Sequence, residues 1–452
     1  MEMLEEATLT PAHPAAKAVG RANEQHPEAE AMISELKIRN FKSLESVDLK
    51  LGHFNLLVGA NASGKSNFLD ALRFLQGVGN GFNIDEALDG RLPSGTSLRW
   101  PGIRGGSKFA AFRNSDDAQA EKIEFRVTFD DEELCKIVGG ETSVTSLNTL
   151  TYNLAFSVGN GDSSFDEESL SYGDTVVVPE NYKHQVESFM QANTSKRREP
   201  SFYRKISIFA VVKAVSGVLT FDASPELITN SAQLVLFVSS GIADMQFLDL
   251  LPSVLRGYSY QVSRINENGE GFAAMIHEIE SNGSKPALLE WLKELRPDEV
   301  DDIYALEGLN NDFMVAIKEG NHEFRAPALS EGTLRFIALA AAFFQPAMPK
   351  VLVIEEIEKG LHPSRLRLLL ELMRSQSKRT GTQVFATTHS PTLLNWLTEE
   401  DRKTTFVCTR DAESGATKMR SLAKIPRFEE LLEEGSHIDE LFAEGWLESA
   451  PQ

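Results

Sequence analysis

From Met32 onward, apolar and polar residues alternate along the chain, which is the period of a half-buried β-strand. Two short strands are predicted, joined by a turn near 42–45. Their shared apolar face consists of Leu36, Ile38, Val47, Leu49 and Leu51. A fully apolar strand, FNLLVG, follows at 54–59. The period then changes to 3.6 residues, so a helix is predicted directly after this strand.

The middle of the chain divides into a β-rich and a helical part. Residues 77–118 are rich in Gly, Ser, Asp and Asn and are predicted to be loop. Apolar residues alternate over 123–129 and 150–158, and TVVVP at 175–179 adds a further strand. Residues 181–310 carry mostly helical patterns without a lasting heptad repeat, which excludes long coiled-coil arms.

Strands and helices alternate again from about residue 312. The strand VLVIEE at 351–356 precedes a helix that begins at Pro363, and the strand TQVFATTH at 382–389 precedes a second helix that begins with proline. A last strand is predicted at 404–408. Such alternation is typical of a mainly parallel sheet. The predicted fold class is therefore α/β, with a mainly parallel core sheet, an antiparallel β subdomain and a helical insertion.

Composition narrows the classes of partner. The 452 residues include 45 basic and 66 acidic side chains, and the net charge of −21 repels nucleic acid and anionic membranes, so DNA would have to meet a local basic patch. The longest apolar run, at 336–344, is far shorter than the roughly 20 residues of a membrane span. Cys135 and Cys408 form no disulfide framework, which favours the cytoplasm. Residues 1–31 have the composition of a disordered tail.

One motif carries specific chemistry by itself. GANASGKS at 59–66 fits the pattern G-x-x-x-x-G-K-[ST] and lies between a predicted buried strand and a predicted helix, as a phosphate-binding loop requires. Gly59 and Gly64 let the loop curl so that its N–H groups face phosphate oxygens. Lys65 adds a charge for the β- and γ-phosphates, and the Ser66 hydroxyl is a ligand for Mg²⁺.

Three further segments are ambiguous when taken alone. The apolar strand 351–354 delivers two adjacent carboxylates, which suits a magnesium and water site but also a strand that runs into a charged turn. LSEG at 329–332 exposes a helix N-terminus behind the N-cap Ser330, as an ordinary capped helix also does. His389 ends a buried strand, where a histidine is usually structural. Beside a phosphate-binding loop the functional reading of all three gains weight.

Together these segments resemble the ABC-type ATPases of the RecF/OLD/SMC-like group, a class of stand-alone AAA-type ATPases related to those in anti-phage defence and DNA repair. SEGTLRFIAL is similar to their signature motif, IEEIEKGLHP to their Walker B and D-loop, and ATTHSP to their switch-histidine strand. The opening sequence LKIRNFKSLESVDLKLGHFNLLVGANASGKSNFLDAL is similar to the beginning of these proteins. The resemblance is strong over 32–78 and 312–410 and says little about 80–310.

The resemblance implies a role for each matching residue. ATP would lie on the loop residues Gly59, Asn61, Ala62, Ser63, Gly64, Lys65, Ser66 and Asn67. Mg²⁺ would be bound by Ser66 and Glu355. Glu356 would polarise the attacking water and His389 would sense the γ-phosphate. Ser330 and Gly332 would reach ATP held by another copy.

Some positions depart from the family pattern or stay open. Glu355 stands where many ABC proteins have Asp, although the RecF/OLD branch often has Glu, and Ile357 stands where Pro is common. The Q-loop glutamine has no clear counterpart, since Gln76 and Gln119 are both weak candidates. Lys42 is a candidate phosphate contact, as basic residues are in related proteins.

A basic segment lies in the middle of the chain. SKRREPSFYRK at 195–205 interleaves five basic residues with two aromatic ones, which suits non-specific DNA or an acidic protein partner, but also a solvated basic loop.

The predicted organisation is a disordered tail at 1–31, a first ATPase lobe at 32–180, a helical insertion at 181–310, a second lobe at 311–410 and a C-terminal helical segment at 411–452. Two or more copies of the chain are expected to form a homodimer or higher homo-oligomer through shared ATP sites. No contact with a membrane is expected. The leading hypothesis is a switch in anti-phage defence or DNA repair that works with a separate, TOPRIM-like nuclease. An ATP-gated protein scaffold or sensor is the alternative. A transporter subunit fits less well, because the signature has a different form and the Q-loop glutamine cannot be placed.

Overall fold

Most of the predicted strands and helices are present. The strands at 164–172, 245–248, 302–307 and 417–421 lie where the apolar periodicity predicted none, and those at 245–248 and 302–307 fall within the predicted helical insertion. In chain order the strands are β1 Met32–Phe41, β2 Leu44–Lys50, β3 Phe54–Val58, β4 Ile123–Asp130, β5 Thr149–Ser157, β6 Ser164–Tyr172, β7 Thr175–Val178, β8 Met245–Leu248, β9 Asp302–Glu307, β10 Phe313–Glu319, β11 His322–Arg325, β12 Val351–Ile354, β13 Gln383–Thr388, β14 Thr405–Arg410 and β15 Thr417–Ser421. The helices are α1 Lys65–Gly79, α2 Ile84–Asp89, α3 Pro225–Ala243, α4 Pro252–Leu255, α5 Phe272–Ser281, α6 Lys285–Leu295, α7 Glu331–Ala342, α8 Pro363–Thr380, α9 Pro391–Leu394, α10 Glu399–Lys403, α11 Phe428–Glu433, α12 Ile438–Ala443 and α13 Trp446–Ser449.

This computed structural model describes residues 32–91, 100–114, 118–130, 149–159, 163–173, 175–178, 205, 207–209, 225–295 and 300–449. The predicted tail at 1–31 and most of the basic segment at 195–205 lie outside these residues. The chain divides into two units. The larger unit takes its described residues from 29–248, 349–359 and 381–452, and the smaller unit from 249–348 and 360–380. The domain boundaries given by the sequence stay predictions.

The larger unit contains the predicted mainly parallel sheet. Its strand order is β15-β14-β3-β13-β12-β8, and every neighbouring pair is parallel except β14 with β15. The strands β3, β8, β12 and β13 are buried along their whole length, as expected for parallel strands covered on both faces. This sheet and the helices around it confirm the α/β fold class.

A second sheet in the same unit is antiparallel, in the order β2-β1-β4-β5-β6-β7. Its pairing follows the alternation of the sequence, for example Ile38 opposite Val47 and Phe125 opposite Leu154, so one face is apolar and buried. The predicted antiparallel β subdomain is therefore present.

Helix α1 packs against strands of both sheets. The ring of Phe74 lies 5.4 Å from Phe125 and 4.7 Å from Phe156 of the antiparallel sheet, and the ring of Phe68 lies 6.0 Å from Phe385 of the parallel sheet. Both phenylalanines of α1 are fully buried. The helix that follows the glycine-rich loop is thus held on two sides by aromatic contacts.

The smaller unit has its own core. A three-stranded antiparallel sheet, β11-β10-β9, packs against α5, and α7 contacts α4, α5, α6 and α8. Trp291 and Phe336 are fully buried in this unit. Arg335 of α7 is also buried, and its guanidinium donates to the carbonyl oxygen of Leu250 at 2.9 Å.

The prediction of loop over 77–118 was wrong in part. Helix α1 continues to Gly79, and α2 occupies 84–89. Asn83 caps α2 by accepting from the N–H of Glu86, while the Glu86 side chain accepts from the N–H of Asn83. This capping box was present in the sequence as N-x-x-E, but the surrounding Gly and Asn residues masked it.

Candidate functional site

The loop between β3 and α1 has the curled backbone that the glycine pattern predicts. Ala62 and Gly64 both have positive φ, at 64° and 102°, and Gly64 is the N-cap of α1. The side chains of Asn61, Ala62 and Ser66 are exposed, whereas Ser63 is buried. Such a backbone together with a helix N-terminus forms an anion-binding concavity.

Two glycines of this loop are required by the strands beside them. A Cβ atom on Gly59 would lie 2.3 Å from the carbonyl oxygen of Cys408, and a Cβ atom on Gly64 would lie 1.9 Å from Oγ1 of Thr417. Burial raises the pKa of the Cys408 thiol to about 12, so the thiol remains neutral near the loop. The loop is therefore packed against β14 and β15, which come more than three hundred residues later in the sequence.

Lys65 lies against the loop that precedes it. Its ammonium group donates to the carbonyl oxygens of Gly59 at 2.7 Å and Ala60 at 2.8 Å, and Nζ lies 3.3 Å from Nδ1 of His389. The side chain is 4% exposed. The charge is thus held inside the concavity.

The two adjacent carboxylates follow β12 directly. The N–H of Glu355 donates to the carbonyl oxygen of Leu248 at 3.0 Å, which continues the sheet pairing by one residue. Glu356 leaves the sheet with a left-handed backbone, φ 48°, and its N–H donates to Oγ1 of Thr387 at 2.9 Å. Its carboxylate is 43% exposed.

His389 contacts both of these segments. Its Nδ1 lies 2.9 Å from the carbonyl oxygen of Gly59, and its Nε2 lies 3.8 Å from Oε1 of Glu356. Its backbone N–H donates to Oε1 of Glu358 at 2.5 Å. The parallel register of β3, β13 and β12 places the carboxyl ends of these strands together, so the loop, Glu356 and His389 meet at one edge of the sheet.

The side chain of Lys42 binds a carboxylate of α1. Its ammonium group lies 2.5 Å from Oδ2 of the buried Asp70, and Nε of Arg104 lies 3.1 Å from the other oxygen of the same carboxylate. Arg104 also donates to the carbonyl oxygen of Ser66. The sequence interpretation missed Asp70 and Arg104, because nothing local to either residue marks a three-way ion pair.

Asn67, a predicted nucleotide contact, bonds within the protein. Its side-chain amide donates to the hydroxyl of Ser43 at 2.6 Å, and that hydroxyl also lies 2.6 Å from Oγ1 of Thr417. These bonds tie the first turn of α1 to the turn between β1 and β2 and to β15.

The signature segment belongs to the smaller unit. Ser330 is the N-cap of α7, and its hydroxyl accepts from the N–H of Thr333 at 3.1 Å. A Cβ atom on Gly332 would lie 2.3 Å from the carbonyl oxygen of Gly360, so only glycine fits there. The helix N-terminus opens into a cavity of about 860 Å³, whose lining includes Ser330, Gly332, His362 and Arg365.

Two family models match the chain, one on each side of its middle. Residues 32–214 match the model described as "AAA ATPase domain", and residues 230–395 match the one described as "AAA domain, putative AbiEii toxin, Type IV TA system". An ATP/GTP phosphatase of Helicobacter pylori is 23% identical over 384 residues, which are 83% of this chain and 90% of that protein. The DNA replication and repair protein RecF of Pasteurella multocida is 44% identical over 63 residues, 14% of this chain and 17% of RecF.

Both models describe AAA domains, and these matches support the resemblance to ABC-type ATPases of the RecF-like group that the four motifs indicate. Two solved structures similar to this ATPase are an SMC head bound to the C-winged helix domain of ScpA, 15% identical with a TM-score of 0.46, and the SMC head domain from Thermotoga maritima, 12% identical with a TM-score of 0.42. The first similarity covers 87% of this chain and 99% of that structure, and the second covers 86% and 98%. Likenesses this distant carry no conclusion about partners.

The described part of the ATPase contains no helix that is long and apolar enough to cross a membrane. Within the same residues, no three His, Cys, Asp or Glu side chains come together as a metal-binding group.

Replacing Gly64 with alanine should weaken nucleotide binding. The left-handed backbone alone costs about 1–2 kcal/mol for alanine, and the added Cβ would also collide with Thr417. Titration with a fluorescent ATP analogue measures the loss. Gly173→Ala is the matched control, because Gly173 also has a positive φ, 54°, but has nothing within 4 Å of an added Cβ. Equal affinity in the two variants would contradict the packing argument.

Proposed function

We propose that this ATPase binds Mg-ATP on the loop at 59–66, hydrolyses it, and completes each site with a second copy of the chain. The observation that carries the proposal is the meeting of Lys65, Glu356 and His389 at one edge of the parallel sheet, with Nε2 of His389 3.8 Å from Glu356 and Nδ1 3.3 Å from Lys65. Phosphoryl transfer to water uses a cation at the phosphates and a group that positions the attacking water. Lys65 and Glu356 can supply these, and the imidazole of His389 lies within 3.8 Å of both.

The loop residues would bind and neutralise the phosphates. The N–H groups of Asn61, Ala62, Ser63, Gly64 and Lys65 would face the phosphate oxygens. Lys65 would exchange its bonds to the carbonyl oxygens of Gly59 and Ala60 for the β- and γ-phosphates. Asn67 and Lys42, which pair with Ser43 and Asp70, would support the loop from behind and reach the nucleotide only by leaving these partners.

A magnesium ion would be held by the exposed hydroxyl of Ser66 and by Glu355. A hydroxyl and a carboxylate are oxygen ligands that Mg²⁺ accepts, and the remaining positions go to water and phosphate. An ion held by these residues would supply positive charge for the phosphates.

Glu356 would orient the attacking water, since its carboxylate is partly exposed at the edge where the phosphates would end. His389 would contact the γ-phosphate through its ring. Its Nδ1 lies 2.9 Å from the carbonyl oxygen of Gly59 and 3.3 Å from Nζ of Lys65, and its Nε2 lies on the side of Glu356. This arrangement lets the histidine respond to the phosphate and to the carboxylate together.

Ser330 and Gly332 would act on ATP held by the second copy. Both lie at the N-terminus of α7, a helix of 12 residues with a positive dipole end, and both line the cavity of the smaller unit. A γ-phosphate in this cavity would join the two copies, and hydrolysis would release them. ATP would thus act as a switch.

The output of the switch would be anti-phage defence or DNA repair with a separate nuclease. Two observations support it: the second family model is described in terms of a toxin system, and the short match is to a DNA replication and repair protein. The basic segment at 195–205 would provide a non-specific DNA contact. Of this segment the structure describes Lys205, which pairs with Asp85 at 2.9 Å.

A protein scaffold or sensor is the second candidate. The net charge of −21 favours it, because a strongly acidic surface repels DNA away from any local basic patch.

Changing Glu356 to glutamine should abolish hydrolysis and keep ATP bound. Loss of the carboxylate that orients water lowers turnover by about 100-fold or more, while the phosphate loop stays intact. Phosphate release and nucleotide binding are measured in parallel. Glu429→Gln serves as the control, since Glu429 pairs with Arg402 in the C-terminal part. Parental turnover in Glu356→Gln would refute the role of this residue.

Mixing two inactive variants tests whether sites are shared. Ser330→Arg would block the helix N-terminus, and Lys65→Ala would remove the phosphate contact. A mixed dimer keeps one site with both residues intact, so a 1:1 mixture should recover about a quarter of the sites. Recovery is followed as ATPase rate against mixing ratio, with each variant alone as control. No recovery at any ratio would count against shared sites.

DNA binding separates the two outputs. If the basic segment neutralises about four phosphates, the logarithm of the DNA-binding constant should fall with the logarithm of the salt concentration, with a slope of roughly −3 to −4. Replacing Lys196, Arg197, Arg198 and Arg204 with serine should flatten this slope and leave hydrolysis unchanged. The fluorescence anisotropy of labelled duplex and single-stranded DNA is measured at low salt as protein is added. The titrations include ATP and the Glu356→Gln variant, which should keep ATP bound and the two copies paired. Absence of binding at micromolar protein would favour the scaffold.

A further inference from the structure

The turn after β12 depends on one residue of the neighbouring strand. Glu356 adopts a left-handed backbone, φ 48°, which is uncommon for a residue with a side chain. Its N–H donates to the Thr387 hydroxyl at 2.9 Å, and the N–H of Ile357 donates to the Thr387 carbonyl oxygen at 3.1 Å. Thr387 therefore accepts the two successive N–H groups of this turn.

A bond in the opposite direction holds the turn after β13. The carboxylate of Glu358 accepts from the backbone N–H of His389 at 2.5 Å. By contrast, the side chains of Glu356 and His389 are 3.8 Å apart, beyond hydrogen-bond distance. The backbone hydrogen bonds to Thr387 and Glu358 therefore help to set the relative position of these two side chains, together with the contact of the His389 ring with Gly59.

We propose that Thr387 is a positioning residue for hydrolysis. Its hydroxyl fixes the left-handed turn and so directs the Glu356 carboxylate to the edge of the sheet where Lys65 and His389 lie. The Glu358 carboxylate accepts from the backbone N–H of His389 in the opposite direction. We call these two hydrogen bonds, Glu356 to Thr387 and His389 to Glu358, the latch. This inference rests on the proposed function, in which Glu356 orients the attacking water.

The hydroxyl of Thr387 acts as a hydrogen-bond acceptor that a side chain of the same shape could not replace. The side chain is 4% exposed and lies in a buried strand, where valine has nearly the same shape. Valine lacks the acceptor, so the N–H of Glu356 would lose its partner and the turn would relax. The next residue, Thr388, is also buried, but its hydroxyl accepts from the N–H of Ser390 at 3.0 Å and not from the N–H of Glu356.

The test compares Thr387→Val, Thr387→Ser and the matched control Thr388→Val in the full chain. Thr387→Val should lower kcat by about 10- to 100-fold, because a small displacement of a reacting group has an effect of this size. Its KM for ATP should stay within about twofold, since the phosphate loop is untouched. Thr387→Ser restores the hydroxyl and should restore kcat, and Thr388→Val should keep kcat within about threefold.

Three results would overturn the inference: parental kcat in Thr387→Val, equal losses in Thr387→Val and Thr388→Val, or a loss confined to KM. If Thr387→Val does not fold, Thr387→Ser and Thr387→Ala replace it, because both lack the methyl group and differ only in the hydroxyl. A higher kcat in the serine variant than in the alanine variant supports the latch, and equal kcat in the two refutes it.

The kcat of Glu356→Gln is measured in the same series. If that variant is fully active, the proposed function fails, whereas an inactive Glu356→Gln with an active Thr387→Val refutes only the role of Thr387.

Discussion

The parallel pairing of β3, β13 and β12 is the constraint on which the candidate site depends. Val58 pairs with Thr388, and Ala386 pairs with Ile354, so the chain leaves all three strands at the same edge. A shift of one residue in either pairing would turn His389 or Glu356 to the opposite face of the sheet. Because β3, β8, β12 and β13 are buried on both faces, such a shift would move every side chain into a space packed for a different one, which is costly.

The loop at 59–66 is placed by its surroundings as much as by its own sequence. Helix α1 is held between two sheets by Phe68 and Phe74, and Asp70 on the same helix binds both Lys42 and Arg104. A buried carboxylate with two cationic partners is stable only when all three remain together. Movement of the helix N-terminus is therefore resisted by packing and by charge, as a preorganised phosphate site requires.

The two units carry complementary parts of the proposed reaction. The larger unit holds the phosphate loop, the acidic strand end and His389, while the smaller unit holds the capped N-terminus of α7 and its cavity. If ATP joins the first set in one copy to the second set in another, nucleotide binding becomes a pairing reaction. The effect of pairing would then depend on what the remaining surface binds, and the acidic charge of the chain limits that choice.

The sequence by itself determined what is local. The loop pattern, the apolar strands, the prolines that begin α8 and α9, and the N-cap Ser330 are each written in a few adjacent residues, because backbone geometry and capping act over short distances. The antiparallel and parallel sheets also followed from alternation and from strand–helix order. The helix at 84–89 was missed, since its capping box lay among residues typical of loops.

Only the tertiary structure decided which distant residues complete the site. Thr387 and Glu358 bond across two strand ends, Thr417 makes Gly64 obligatory, and Arg104 reaches Asp70 and Ser66. Each of these contacts joins residues that are 31 or more positions apart in the sequence, so no local sequence pattern predicts them. Hydrogen bonds and steric contacts depend on distances in space, and the fold alone sets those distances.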